Sequence, residues 1–382
     1  MKLNLRTYGL LTVLLATGLA AWGFSVVLNG PKHAQIIPGQ IWTDTDGKHI
    51  NAHGGGILEH NGRYYWFGEH RSGGRGGFAT WVGVGCYAST DLMNWENKGI
   101  ALEVVDDPLS EIVKGCIIER PKVVFNDRTN QFVMWFHLEL KGKGYEAAKT
   151  GVAVSKKVEG PYTFIGSFRP NAGAWPMDYN GKREAMDEAG RYKWWTSEWY
   201  RAVNDGLFVR RDFVKGQMSR DMTVFKDDDG RAYHIHSSEE NLTIHISELS
   251  DDYLSFTGRW IRVFPAGHNE APAVFKFQGK YYMVTSGCTG WDANAARLAV
   301  ADSMLGNWTS LGNPCVGENA DKTFFSQSTH VLPVNGGFIF MADRWTPKNL
   351  DDARYVWLPF MFENGLPKIY WNASWSPDDL GK

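Results

Sequence analysis

The chain has 382 residues, of which 14% are aromatic and 42 are glycine, so it is long enough to bury a large core in one or two domains. Its formal net charge of −2 provides no broad basic surface, and nucleic acid is not an expected partner. Aromatic residues joined by glycine turns suit both the packing of β-strands and the stacking of sugar rings.

The first 30 residues have the pattern of an export segment. Lys2 and Arg6 form a positively charged start, and residues 8–24 are apolar with small residues near their end. This pattern predicts a secretory signal peptide, with an uncleaved N-terminal membrane anchor as the alternative. The protein is therefore expected to be exported, and to meet a membrane only through this segment. Residues 31–382 are predicted to form the folded domain.

A strand, a tight turn and a returning strand recur along the rest of the chain. In four copies, a polar residue lies nine positions before the turn glycine: His53 before Gly62, Asp221 before Gly230, Glu270 before Gly279, and Gln327 before Gly336. A fifth copy has a longer turn at residues 126–130, and Glu119 occupies the matching place before it. Five hairpins therefore begin with a polar residue at one register.

Repeated hairpins must stack, because an isolated hairpin cannot bury its faces. Radial stacking gives an all-β, five-bladed β-propeller, in which the innermost strands begin around the central axis. The five polar residues are therefore predicted to surround one axial active site. A second recurring turn, which ends in an aromatic residue at 89–95 and again at 301–308, is expected to join the outer strands of the blades.

The largest interruption of this pattern lies between blades two and three. Residues 174–212 form an insertion that is rich in tryptophan and in charged residues. Long insertions in compact domains are often functional, so a lid or wall of the binding cleft is one interpretation. A packing embellishment of the propeller is the other.

No metal or cofactor is expected. The four cysteines show no CxxC spacing, so both free thiols and disulfides remain open. His330 lies near the axis by register, but a single histidine in such a place is more often a hydrogen-bonded core residue than a metal ligand.

Three of the five axial residues are carboxylates, which suits glycoside hydrolysis. That reaction needs one carboxylic acid to protonate the leaving oxygen and a second group to activate water or attack the sugar. Crowded carboxylates raise one another's pKa, as a general acid requires. Glu270 is the predicted acid because an apolar strand and Pro272 flank it. Glu119 is followed by Arg120, so an arginine-paired structural carboxylate is the alternative there.

Several longer motifs carry a more specific resemblance. They lie at residues 50–56, 64–69, 119–123, 219–225, 270–273, 285–291 and 326–330. With these motifs, residues 40–372 resemble glycoside hydrolase family 43, and in particular its exo-β-1,3-galactanase-like branch. The resemblance implies a five-bladed propeller glycosidase that acts on an oligo- or polysaccharide.

The resemblance also implies roles for the axial residues. Most members of the family are inverting enzymes with an Asp base in blade one, whereas this chain has Asn-Ala-His at residues 51–53, a departure that the galactanase-like branch shares. By resemblance, Gln327 positions the water, Glu270 is the acid, and Glu119 tunes the site or holds the sugar. His53 is the rival base, because histidine titrates near neutral pH.

Further sugar contacts are implied around the same axis. They are His53, Glu69, Asp221, Asn241 and Thr289, and more loosely Tyr145 and Trp291. The expected activity is exo-acting, inverting release of galactose from β-1,3-galactan of the arabinogalactan type. An α-L-arabinofuranosidase of the same family and a non-catalytic carbohydrate-binding propeller are the alternatives.

Overall fold

The structure, a computed structural model, describes residues 32–71, 81–347, 349 and 351–381. The expected export segment at residues 1–30 lies outside the described residues. Within the described ranges, no helix has the length and apolarity that a membrane span requires.

The described residues form five sheets, each of which is one blade. Blade one contains β1 His53–His60, β2 Arg63–Arg71, β3 Trp81–Ser89 and β4 Glu96–Glu103. Blade two contains β5 Ile117–Asn126, β6 Gln131–Glu139, β7 Lys149–Ser155 and β8 Thr163–Phe168. Blade three contains β9 Met222–Lys226, β10 Ala232–Ser238, β11 Thr243–Leu249 and β12 Phe256–Val263. Blade four contains β13 Glu270–Phe277, β14 Lys280–Ser286, β15 Arg297–Ala301 and β16 Thr309–Gly312.

Blade five has an additional outer strand. It contains β17 Cys315–Val316, β18 Gln327–Val334, β19 Gly337–Arg344, β20 Arg354–Glu363 and β21 Leu366–Tyr370. The short strand β17 pairs in parallel with β21, whereas the other pairings in the blades are antiparallel. The first strands β1, β5, β9, β13 and β18 contact one another in ring order, and β18 contacts β1. The all-β, five-bladed propeller predicted from the sequence is therefore confirmed.

The junction between blades five and one is packed with aromatic rings. Trp357 of blade five lies 4.7 Å from Trp66 and 4.9 Å from Trp42, measured between ring centroids. Next to these rings, a β-bridge joins Ile36 to Trp375. Both ends of the domain therefore contribute to the apolar cluster that closes the ring.

A β-bulge follows the axial residue in four of the five innermost strands. The pairing register shifts just after His53, Glu119 and Glu270, and one residue later after Gln327. In three of these strands the next residue has a left-handed backbone: Gly54, Arg120 and Ala271, with φ of 60°, 55° and 53°. A bulge changes the direction in which a side chain points, relative to the regular alternation along a strand. The four bulges therefore turn these residues toward the central axis.

The insertion folds as a small helical unit on blade three. It contains a 3-10 helix at Ala189–Arg191, helix α1 at Ser197–Asn204 and helix α2 at Leu207–Arg211. Thr196 caps α1, because its Oγ1 accepts a hydrogen bond from the Trp199 amide at 3.3 Å. The buried side chains of α1 and α2 share one apolar cluster with Leu242 of blade three.

Candidate active site

A cavity of about 290 Å³ lies where the innermost strands begin. Eight of the ten residues predicted for the site line it: Glu69, Glu119, Tyr145, Asp221, Asn241, Glu270, Trp291 and Gln327. Six further residues complete its lining: Arg71, Arg120, His137, Arg220, Gly290 and Trp345. None of the lining residues comes from the insertion at 174–212, so the insertion is not a wall of this cavity.

Two of the predicted site residues do not reach the cavity. His53 has no exposed surface, its ring stacks on Trp345 with centroids 4.5 Å apart, and its Nδ1 lies 3.3 Å from Asp343 Oδ2. Thr289 is exposed on the loop beside the cavity, where its hydroxyl donates to the Asp292 carbonyl at 2.5 Å. His53 therefore has no path to a substrate water, which counts against it as the base.

Glu270 lies in an environment that favours its protonated form. Burial, followed by the nearby carboxylate of Asp221, raises the pKa of Glu270 to about 7. Arg120, Cys288 and Asn241 act in the opposite direction. Asn241 Nδ2 donates to Glu270 Oε1 at 2.8 Å, so Oε1 is engaged as an acceptor and Oε2 is the oxygen to which we assign the proton.

Glu119 lies in the opposite environment. Burial alone would raise its pKa, but the hydrogen bond and charge of His137, with Tyr145 and Arg71, hold the pKa of Glu119 at about 2. His137 Nδ1 lies 3.0 Å from Glu119 Oε2, and Tyr145 donates its hydroxyl to Glu119 Oε1 at 2.7 Å. Glu119 is therefore an ionised carboxylate with both oxygens engaged.

His137 is held between two carboxylates. Its Nε2 lies 2.9 Å from Oε1 of Glu139, which is fully buried. Burial would lower the pKa of His137, but hydrogen bonds to Glu119 and Glu139 raise it to about 9. The imidazole is therefore a cation at neutral pH, and hydrogen bonds connect Glu119, His137 and Glu139 in one row along blade two.

Arg120 lies at the centre of the site and connects its own blade two to blades one, three and five. Its Nη2 donates to Asp221 Oδ2 at 2.9 Å and to Gln327 Oε1 at 2.5 Å, and its Nη1 donates to the Ser328 carbonyl at 2.7 Å. Its backbone N–H donates to Glu69 Oε1 at 3.0 Å. A guanidinium with several fixed acceptors is a rigid support for the groups around it.

Gln327 is oriented from both ends of its amide. Its Oε1 accepts from Arg120, and its Nε2 donates to Ser286 Oγ at 2.9 Å. A carbonyl oxygen has two lone pairs, so Oε1 retains one acceptor site toward the cavity. A cation on the same oxygen weakens it as a base, which suits Gln327 to holding a water rather than to removing its proton.

Glu69 is a buried carboxylate paired with an arginine. Its Oε2 accepts from Arg71 Nη2 at 2.6 Å. Burial raises the pKa of Glu69, and the charge of Arg71 opposes that effect. The left-handed residue Gly54 lies against Glu69, and a Cβ there would collide with Glu69 Oε1. The left-handed backbone of Gly54 and its close approach to the Glu69 carboxylate, which the Arg120 amide holds in place, therefore require glycine at this position.

A second cavity of about 660 Å³ adjoins the first. The two cavities share Gly290, Trp291, Gln327 and Trp345. The second is also lined by Phe325, whose side chain is 45% exposed. Residues 323–325 all have a left-handed backbone, which non-glycine residues rarely adopt. The site therefore consists of a small cavity lined mainly by charged and polar residues, which adjoins a larger cavity whose lining includes Trp291, Phe325 and Trp345.

The described residues contain no group of three or more His, Cys, Asp or Glu side chains placed to hold a metal ion. His330 is neutral, because burial and then Lys122 lower its pKa to about 3. Lys122 lies beneath the cavity and donates its Nζ to the Gly54 carbonyl at 2.7 Å. All four cysteines are free thiols.

Sequence reasoning missed six of the lining residues as parts of the site: Arg71, Arg120, His137, Arg220, Gly290 and Trp345. Arg120 directly follows Glu119, and the sequence suggests for it only an ion pair with that residue. His137 lies across the strand pair from Glu119 only because the pairing register shifts between Glu119 and Lys122, so counting from the hairpin turn does not find it. Trp345 directly follows the last residue of β19, and no pattern in the sequence indicates its role.

Comparisons with known proteins agree with the five-bladed propeller fold. The sequence profile of Glycosyl hydrolases family 43 matches residues 203–335. A family 43 β-1,3-galactosidase, solved with galactodeoxynojirimycin, is 58% identical over 89% of this chain and 100% of that chain, with a TM-score of 0.87. An exo-β-1,3-galactanase from Phanerochaete chrysosporium, solved with galactose, is 33% identical over 90% of this chain and 68% of that chain, with a TM-score of 0.71.

One curated protein gives a shorter match. The β-D-galactofuranosidase of Aspergillus niger is 31% identical over 112 residues, which is 27% of this chain and 32% of that relative. The aligned segment thus spans about a third of the curated relative.

Proposed function

This chain belongs to glycoside hydrolase family 43 and is a glycosidase, and on that premise we propose that it releases galactose from the ends of β-1,3-galactan chains by inverting hydrolysis. The observation that carries the proposal is the pairing of Glu270, a carboxyl group with a raised pKa, with the oriented amide of Gln327 in one small cavity. The β-1,3-galactosidase and the exo-β-1,3-galactanase to which the chain is similar support galactose as the sugar.

In the proposed mechanism Glu270 is the general acid. The proton on Oε2 passes to the leaving oxygen as the bond between that oxygen and the anomeric carbon breaks. Asn241 holds the other carboxyl oxygen, which keeps the proton on the side of the substrate. Near pH 7 a useful fraction of Glu270 is protonated, and the group remains acidic enough to transfer its proton.

Gln327 positions the attacking water in this mechanism. The amide is fixed by Arg120 and Ser286, and its free lone pair accepts one hydrogen of the water. The water oxygen bonds to the anomeric carbon from the face opposite the leaving group, and the water proton is lost to solvent. Holding the water in this way lowers the activation free energy, because a water that is already oriented loses less entropy on reaching the transition state than a free water does.

Glu119 holds the sugar and supplies negative charge. Because His137 keeps Glu119 ionised, this carboxylate can accept hydrogen bonds from sugar hydroxyls. Positive charge develops on the sugar ring in the transition state. A fixed carboxylate nearby stabilises that charge more than it stabilises the neutral substrate.

The shape of the cavities supports an exo mode of action. The polar cavity of about 290 Å³ suits a single sugar ring, and the adjoining cavity of about 660 Å³ with Trp291 and Phe325 suits the rest of the chain. Sugar rings stack their C–H faces on exposed aromatic planes. The second cavity can therefore bind the leaving part of the substrate without selecting one particular sugar.

The test is the release of monosaccharide from β-1,3-galactan and from arabinan, with wild type and Glu270→Gln assayed side by side. We expect galactose from galactan, in the α configuration when the fresh product is observed by NMR, and loss of release in the variant. Release of arabinose instead of galactose would contradict the proposal that the substrate is β-1,3-galactan. Binding of galactan without release of either sugar would identify a non-catalytic carbohydrate-binding protein.

A further inference from the structure

The turn between β10 and β11 has an unusual backbone. Glu239, Glu240 and Asn241 are consecutive non-glycine residues with left-handed φ angles of 51°, 60° and 63°. Each such residue is strained, and three in a row persist only where the surroundings fix them. The contacts of this 239–241 turn therefore identify the interactions that hold its strained backbone in place.

Glu239 anchors the turn to helix α1 of the insertion. It is fully buried, and its two carboxyl oxygens accept from Arg262 Nε and Nη2, each at 2.7 Å. The same guanidinium donates to the carbonyls of Val203 and Asn204, at 2.7 and 2.8 Å, at the end of α1. One arginine thus joins the last carbonyls of the helix to the first residue of the turn.

Two further contacts join the turn to the insertion. Glu240 Oε1 accepts from Arg211 Nη1 of helix α2 at 2.9 Å. Leu242, directly after the turn, is fully buried in the apolar cluster of the insertion. Polar and apolar contacts therefore hold the turn from the same side.

The last residue of the turn contacts the proposed acid. Asn241 Nδ2 donates to Glu270 Oε1 at 2.8 Å, and Cys288 Sγ lies 3.2 Å from the Asn241 carbonyl. Arg220 Nη1 reaches Asn241 Oδ1 at 3.4 Å, which orients the amide with its nitrogen toward the carboxyl group. The backbone of this turn thus sets where the acid's hydrogen-bond donor lies.

We propose that the 174–212 insertion is a positioning element for catalysis, which clamps the 239–241 turn through Arg262, Arg211 and Leu242 and so holds Asn241 against Glu270. Glu239 and Arg262 are the positioning residues of this clamp. The inference rests on the proposed role of Glu270 as the acid. It gives the insertion a function although none of its residues lines the catalytic cavity.

The electrostatics of the clamp suit a permanent connection. Burial would raise the pKa of Glu239, but Arg262 and His245 hold it at about 2. Burial lowers the pKa of His245, so a neutral imidazole donates to Glu239 at 2.8 Å. The Glu239–Arg262 pair therefore stays ionised over the working range of an acid whose pKa is about 7.

The first test compares two substrates in the Glu239→Gln variant. The β-1,3-linked galactobiose has a poor leaving group and needs the acid, whereas an aryl β-galactoside with a strongly acidic phenol does not. We expect kcat to fall about 10- to 100-fold for galactobiose and about threefold or less for the aryl galactoside. Equal loss on both substrates, or no loss on either, would overturn the inference.

A matched control and a milder variant keep the test decisive. Glu248→Gln removes another ion pair of the same strands, in which Arg259 Nη1 lies 3.0 Å from Glu248 Oε2, and should leave both rates unchanged. Arg211→Met removes the contact to Glu240, together with the ion pair to Asp212 and the contact with the Phe208 ring, but leaves the Glu239–Arg262 pair in place, so it serves if Glu239→Gln does not fold. It should show the same substrate pattern with a smaller loss.

An infrared titration of the free protein needs no substrate. The band of the protonated Glu270 carboxyl is assigned by its absence in Glu270→Gln, and its midpoint should move to higher pH in Glu239→Gln. The reason is that the Asn241 donor favours the ionised form, while Asp221, Arg120 and Cys288, which also face Glu270, are unchanged. An unmoved midpoint would overturn the clamp. A moved midpoint in a protein that cleaves no galactan would overturn the proposed function alone.

Discussion

Glu119 and Glu270 occupy equivalent places in blades two and four and have opposite properties. Each is followed by a left-handed residue and a register shift, and both line the same cavity. Yet the pKa of Glu119 is held at about 2, and that of Glu270 is raised to about 7. The propeller repeat therefore determines where each of the two carboxyl groups lies, but not whether that group is ionised.

The difference comes from the residue opposite on the second strand of each blade. His137 lies opposite Glu119, and Ser286 lies opposite Glu270. The imidazolium stabilises one carboxylate, whereas the hydroxyl of Ser286 donates no charge and is engaged by Gln327. Asp221 then adds a like charge near Glu270. The cross-strand residue, together with Asp221 near Glu270 and with Tyr145 and Arg71 near Glu119, thus gives two equivalent carboxyl groups opposite shifts in pKa.

The largest effect is expected from Glu270→Gln. Loss of the proton donor should reduce kcat on β-1,3-linked galactobiose by about 1,000-fold. An aryl β-galactoside with a good leaving group should lose about tenfold or less, because its departure needs no proton. Steady-state rates on both substrates measure this difference. A loss of the same size on both would contradict the assignment of Glu270 as the acid.

Glu119→Gln should reduce the rate equally on both substrates, whatever their leaving group. A fixed anion acts on the sugar ring and not on the leaving group, so kcat/KM should fall by about 100-fold for both galactobiose and the aryl galactoside. The same two assays provide the measurement. Recovery of the rate with the aryl substrate would show that Glu119, and not Glu270, provides the proton.

The two carboxyl groups should also affect stability with opposite signs. Glu119 has a lowered pKa, so its contribution to the free energy of unfolding is complete above about pH 4.5 and is lost as the pH falls toward about 2. Glu270 has a raised pKa, so its protonated form contributes to the free energy of unfolding. That contribution is complete below about pH 4.5 and is lost as the pH rises through about 7.

Urea unfolding at pH 8 is the corresponding measurement. Glu119→Gln should lower the free energy of unfolding, and Glu270→Gln should raise it, each by up to about 3 kcal/mol. At pH 5 the effect of Glu270→Gln should be smaller. Destabilisation by both variants at pH 8 would show that the two environments are alike.

The smallest effect is expected from Phe325→Ala, outside both carboxyl environments. It should raise KM for galactotriose a few-fold and leave the aryl galactoside unchanged, because only the longer substrate reaches the aromatic cavity. The pH profile should keep its shape. A shift in that profile would mean that Phe325 contributes to the environment of Glu270 or Glu119.

The repeat in the sequence was sufficient for the fold and for much of the site. In blades four and five, the distance back from the turn glycine determines which residue begins the innermost strand, so Glu270 and Gln327 could be placed at the axis by counting. The turns expected between outer strands are also present, at residues 89–95 between β3 and β4 and at 301–308 between β15 and β16.

The bulges explain why the cross-strand partners were not predicted. Without the register shift, the residue opposite Glu119 would be Leu138; with the shift it is His137. In blade one the same shift brings Glu69, and not His70, opposite His53. No feature of the sequence marks a one-residue bulge in advance, and that bulge decides which second-strand side chain enters the site.

His53 and the insertion were beyond sequence reasoning for a different reason. The register places His53 at the axis, but Trp345 covers its ring, and the position of Trp345 depends on the path of the chain after β19. Likewise, the insertion affects the site through Arg262, which belongs to blade three. Contacts between distant segments of this kind leave no local pattern.

The pH dependence of kcat/KM with an aryl β-galactoside of moderate leaving ability tests the central claim most directly. The account predicts that the rate of wild type falls above a pKa near 7, as Glu270 loses its proton. In Glu270→Ala this decrease should be absent, while Glu119→Gln should retain it. Persistence of the decrease in Glu270→Ala would contradict the claim that the two equivalent carboxyl groups are divided into the acid Glu270 and the anion Glu119.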